Sequence, residues 1–204
     1  GTFDGQGHTI SGIYSTAYML GDIKNYYEDA PAVEGVSGTK FIYLPTGLFA
    51  CTKEECVIKN FNLVNSVFYN DVTTGCGSIV SNGAGTLDSV YSSATIVNYR
   101  RNAGGLVGIV EKGSFNINSC WFDGEIRMEG KDGRQSGGLV ANISSNVGTT
   151  KITHCLNTAD IVSEFTRADN NVGGLVGTLD KGARVEIEDS LSVGKITVAN
   201  RRGA

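Results

Sequence analysis

Gly104-Gly105-Leu106-Val107-Gly108 returns as Gly173-Gly174-Leu175-Val176-Gly177, and the reading of this phrase decides the fold. Three further segments carry a small residue followed by two apolar ones: Gly47-Leu48-Phe49, Ser78-Ile79-Val80 and Gly138-Leu139-Val140. Their first apolar positions are separated by 31, 27, 33 and 36 residues. A second apolar anchor follows in each copy, at Ile58, Leu87, Ile117, Ile152 and Ile187. Nine residues later stands a third, at Val67, Ile96, Ile126, Ile161 and Ile196. The interval between second and third anchors is constant, whereas the one between first and second varies from 8 to 13 residues. A constant core with variable insertions is the signature of a repeat architecture.

The residue types say which kind. Ile and Val number 15 and 19 against 11 Leu, a bias toward strands. Each copy has three short β-rich runs separated by Gly, Asn, Asp and Ser, with no 3.6-residue apolar period. The expectation is an all-β chain, a right-handed parallel β-helix of about six coils with three short strands per coil. At about 4.8 Å per rung the stack would be roughly 25–30 Å long. The coils fall at 1–13, 46–74, 75–102, 103–135, 136–171 and 172–204, with 14–44 as an insertion, all in one domain. Two columns mark the corners. Asn60, Ser89, Ser119, His154 and Asp189 stand two residues after the second anchor, and most are turn formers. Asn65, Ala94, Gly124, Ala159 and Gly194 stand seven after it, where a tight corner admits mostly small side chains.

The Gly-Gly-Leu-Val-Gly phrases resemble the GLUG motif. This repeat occurs in large bacterial surface proteins, including the N-terminal regions of some IgA-cleaving metallopeptidases. Gly1-Thr2-Phe3-Asp4-Gly5-Gln6-Gly7-His8-Thr9-Ile10-Ser11-Gly12-Ile13 resembles the first coil of such solenoids, and the likeness extends over about 46–200. Phe49-Ala50 and Ser78-Ile79 depart from the motif. The resemblance implies a non-catalytic repeat module of a secreted or cell-surface bacterial protein, serving as rigid stalk or adhesive surface toward a glycan or a surface protein. A chain that starts at Gly1 is expected to be a piece of a longer one.

Composition narrows the alternatives. The net charge is −4, which does not suit a nucleic-acid or anionic-membrane partner, and no run of about 18 apolar residues is present. The two histidines, His8 and His154, lack the spacing of a His-Glu-x-x-His site, so no metal or cofactor is expected. A peptidase active site, if the parent protein has one, would lie outside this chain, which would then be a scaffold segment. The enzymatic alternative rests on Glu125 and Asp160, one rung apart in the column Ser66, Thr95, Glu125, Asp160, Lys195, with Arg127 beside them. Close carboxylates can divide into acid and base, as in retaining glycosidases, and this pair could serve a polysaccharide lyase or glycosidase. A solvated charge ladder is the plainer reading.

The column Asn62, Tyr91, Trp121, Leu156, Leu191 offers either a stacking platform or core. Leu156 and Leu191 favour core. Its neighbour Phe61, Val90, Cys120, Cys155, Ser190 is also apolar, so one of the two must turn outward or sit at the bend. Cys120 and Cys155 are expected as stacked free thiols. Cys51 and Cys56 are candidates for a local disulfide, and Cys76 has no evident partner. The insertion holds Tyr14, Tyr18, Tyr26, Tyr27 and Tyr43, five of the chain's eight tyrosines, making Tyr26 and Tyr27 candidate binding residues on a long loop. The run Met19–Tyr27 could form a short helix, and the loop could equally cap one end.

Overall fold

A computed structural model describes residues 1–17, 46–71, 75–130, 134–145, 148–165 and 170–199. Tyr26, Tyr27 and the Met19–Tyr27 run lie outside the described residues. The described chain is all-β, and each strand pairing in its three sheets is parallel. The repeats found in the sequence are the strands of these sheets. In the third repeat Asn102–Gly104 belongs to a four-stranded sheet, Val107–Asn118 and Trp121–Phe122 to a twelve-stranded one, and Glu125–Met128 to a six-stranded one. The fourth repeat distributes Gln135–Gly137, Val140–Ile143 and Asp160–Ser163 in the same order.

Registers follow the anchors. Leu87, Ile117, Ile152 and Ile187 are mutual partners in succession, as are Ile96, Ile126, Ile161 and Ile196. Ile96, Ile126 and Ile161 are fully buried. Burying such a side chain contributes about 1.5–3 kcal/mol, so stacked apolar columns are the main source of stability. Their last members are less well covered: Ile187 is 44% exposed and Ile196 42%.

The second corner column lies between the twelve- and six-stranded sheets, whereas the first is a bend within the twelve-stranded sheet, inside Val57–Val64 and Val80–Ser92 in two of the copies. Asn60, Ser89, Ser119, His154 and Asp189 all have positive φ, between 44° and 56°. At the second corner a Cβ on Gly124 would lie 1.9 Å from the Ala94 carbonyl oxygen, which excludes any side chain. A left-handed conformation costs an L-residue about 1–2 kcal/mol. Ser119→Gly is therefore expected to leave stability unchanged or raise it by up to about 1 kcal/mol, while Ser119→Val should lower it by about 1–2 kcal/mol. Urea melts of the two variants check this.

Several details differ from the sequence reading. In the first repeat Phe68, not Val67, pairs with Ile96 and is fully buried, because one additional residue is accommodated at the corner around Asn65, itself at φ 48°. Val67 thereby takes the outward place assigned to Ser66, which is buried. Tyr14–Ala17, read as the start of the insertion, is a strand paired with Val67–Asn70. Gly105, Gly138 and Gly174, which the repeat phrase would put at the starts of equivalent strands, lie between strands. They sit between Gly104, Gly137 and Gly173, which end strands, and Val107, Val140 and Val176, which begin them. Close approach explains these glycines: Gly105 faces Phe122, Gly138 faces Asn157 and Gly174 faces Ser192. Where serine stands instead, at Ser78, the facing residue is the small Ser92, and their hydroxyls are 2.9 Å apart. Asn157 Nδ2 donates to the Gly174 carbonyl at 2.9 Å, so its amide is satisfied inside the core.

Candidate functional site

Alternation along Val57–Val64 sends Phe61 and Leu63 inward and leaves Asn62 and Val64 at the surface. Parallel pairing repeats this choice in every layer. The column Thr9, Asn62, Tyr91, Trp121, Leu156, Leu191 is in register throughout and faces outward, with Trp121 40% and Leu191 57% exposed. This corrects the expectation of burial. The inward place is filled by Phe61, Val90, Cys120 and Cys155, all buried. The left-handed residue just before that column turns the strand so that the adjoining apolar column, not the aromatic one, enters the core.

A second outward column lies two residues further on and includes Val64, Ser93, Asp123 and Thr158, of which the last three donate their amides to the carbonyls of Leu63, Ser92 and Phe122 in the layer before. Its polar members hold the aromatic rings in place. Tyr91 Oη–H donates to Asp123 Oδ2 at 3.3 Å, and Trp121 Nε1–H donates to Thr158 Oγ1 at 2.8 Å. The Thr158 hydroxyl donates in turn to Asp123 Oδ1. Tyr91 and Trp121 meet edge to face with ring centroids 5.0 Å apart. Two rings are thus fixed by one carboxylate and one hydroxyl. With Thr9, Asn62 and Val64 they line an open depression of about 390 Å³. The sequence reading named Tyr91 and Trp121 but missed Asp123 and Thr158. Their signal was the period of two: each stands two residues beyond a member of the aromatic column.

Glu125 and Asp160 are direct partners across adjacent strands, as expected. Each is already engaged. Arg127 Nε lies 2.8 Å from Glu125 Oε1, and that carboxylate raises the guanidinium's pKa further above its ordinary value. Asp160 Oδ1 accepts the backbone N–H of Lys195 at 2.9 Å. Asp160, Arg127 and Lys195 are exposed and Glu125 is half-buried, and none of the four lines the depression. Tyr14 is 69% exposed at its strand position.

His154 lies 3.5 Å from Asp189, one layer on in the corner column. Among the described residues no group of three or more His, Cys, Asp and Glu side chains is placed to hold a metal ion. All five cysteines are free thiols. Cys51 and Cys56 are not bridged, and the Cys56 sulfur instead accepts the Lys53 N–H at 3.5 Å within a tight turn. Burial pushes the Cys76 thiol up, and the Cys120 thiol is raised beside Cys155.

No family model, curated protein or solved structure matches the chain.

Proposed function

We propose that the chain is a non-catalytic repeat module whose working surface is the outward column through Tyr91 and Trp121. Its three sheets are read as the three faces of a right-handed parallel β-helix. The support for that reading is the order in which the four repeats from Gly75 onward visit the sheets, each through the four-stranded, then the twelve-stranded, then the six-stranded one. Right-handed winding is the rule for parallel crossovers. The GLUG-like phrases and the acidic charge fit a secreted or cell-surface bacterial protein in which such a stack is a stalk and an adhesive face. A glycan or a surface protein is the partner.

The observation that carries this reading is an aromatic pair held in a fixed arrangement on an exposed, parallel-stacked face. Rigid aromatics cost little entropy on binding and offer both apolar area and a polar handle. The competing enzymatic reading has paired carboxylates, but their first partners are an arginine and a backbone amide, not a cleft. Incubation with a panel of polysaccharides is expected to release no reducing ends and no unsaturated sugars. A Glu125→Gln variant should behave as the unaltered chain. Product release that disappears in that variant would overturn the non-catalytic reading. Retention of the unaltered chain on immobilised glycan or surface protein is the expected positive result.

A further inference from the structure

We infer that the depression between Thr9, Asn62, Val64, Tyr91 and Trp121 binds an uncharged pyranose chain running along the stack. This rests on the adhesive reading and gives it a ligand class. The lining combines two aromatic rings and a valine with an amide and a hydroxyl, and contains no Lys or Arg. Aromatic faces complement the C–H faces of pyranose rings, whereas a uronate or sulfated sugar would need a cation to balance its charge. The Asp123 carboxylate accepts the Tyr91 hydroxyl at the edge of the site and disfavours anionic sugars further.

The polar groups have capacity to spare. Asn62 Nδ2 makes one long hydrogen bond, 3.5 Å, to Thr9 Oγ1. A side-chain amide has two donors and an acceptor oxygen, so Asn62 can reach sugar hydroxyls without breaking a strong bond. Leu156 continues the outward column beyond Trp121, but the flanking outward positions Ser11, Ser93, Asp123 and Thr158 are polar, and that flank suits a hydroxylated ligand. Successive layers advance by about 4.8 Å, so consecutive sugar rings can meet equivalent positions on successive strands. The shape is open and not enclosed, appropriate to a polymer bound along its length.

Trp121 is the chain's single tryptophan, so its emission reports on this site alone. Titration with cellohexaose, maltohexaose, mannohexaose and xylohexaose is expected to give a saturable change with at least one of them. A hexamer of galacturonate should give none. By calorimetry, Trp121→Ala and Tyr91→Ala should weaken the responding hexaose at least tenfold, and Trp121→Phe only a few-fold. Thermal melts of these variants should stay near that of the unaltered chain, because both side chains are partly exposed. Silence with all four neutral hexaoses, equal binding of the galacturonate hexamer, or full affinity in a folded Trp121→Ala variant would each overturn the assignment. Retention on a surface protein with no hexaose response would overturn it while leaving the adhesive reading in place. Cleavage of the hexaose would overturn the adhesive reading itself.

Discussion

Gly105→Ala is expected to destabilise the protein by about 3 kcal/mol or more, at the upper end of the cost of overfilling a packed interior. A Cβ there would lie 2.0 Å from the Gly138 carbonyl oxygen and 2.3 Å from Phe122 Cδ1. The phenyl ring could rotate, but the carbonyl belongs to the backbone of the next layer. That layer is tied on by Gly138 N–H to Gly173 O, while Gly105 O accepts from Ser78 N–H. Relief would require several layers to move together. Gly182→Ala is the contrasting case: nothing lies within 4 Å of its Cβ, and φ is 91°. Its cost is one of backbone conformation alone, about 1–2 kcal/mol. Guanidinium melts of the two variants compare these directly. Equal losses would show that close approach does not limit residue size at the corner.

Ile126→Ala and Ile161→Ala are each expected to cost about 2–5 kcal/mol, because both are fully buried and each leaves a cavity between packed layers. Ile196→Ala should cost less than half as much, since Ile196 is 42% exposed and has already kept part of its surface in water. Denaturant melts of the three variants decide it. Equal losses at all three positions would mean that the column is covered equally along its length.

Much of the layout was legible because the repeat supplied five readings of one structure. The corner column at Ser89, Ser119 and its equivalents was recognised from turn-forming residues, and each has the left-handed φ that such residues tolerate best. The strand column through Ile126 was recognised from a constant interval. The single failure of that interval, at Val67, came from a residue added inside the corner, where length can change without altering either strand. The aromatic column was misplaced for a different reason. Two adjacent columns were both apolar, and sequence alone counts apolarity without sensing which way a strand turns after a left-handed residue. Leu156 and Leu191 then weighed wrongly toward burial, although leucines at a surface are ordinary. Asp123 and Thr158 drew no notice because they matter only as partners of the rings.

The covering of the columns is uneven along the stack. Among the described residues, six of the nine exposed large hydrophobics, Leu179, Ile187, Leu191, Val193, Ile196 and Val198, lie in the last repeat and two, Phe3 and Tyr14, in the first coil; each of these outer layers has one described neighbour. In a stack stabilised by nearest-neighbour contacts, a layer with one neighbour opens at lower free energy than one with two. In this 204-residue chain, amide exchange should therefore be faster in the outer strands Ile196–Val198 and Thr2–Ser11 than in Glu125–Met128, which is paired on both sides. Tension applied across the layers of this chain would find its weaker seams at these outer layers, whereas the pair at Tyr91 and Trp121 sits on strands paired on both sides.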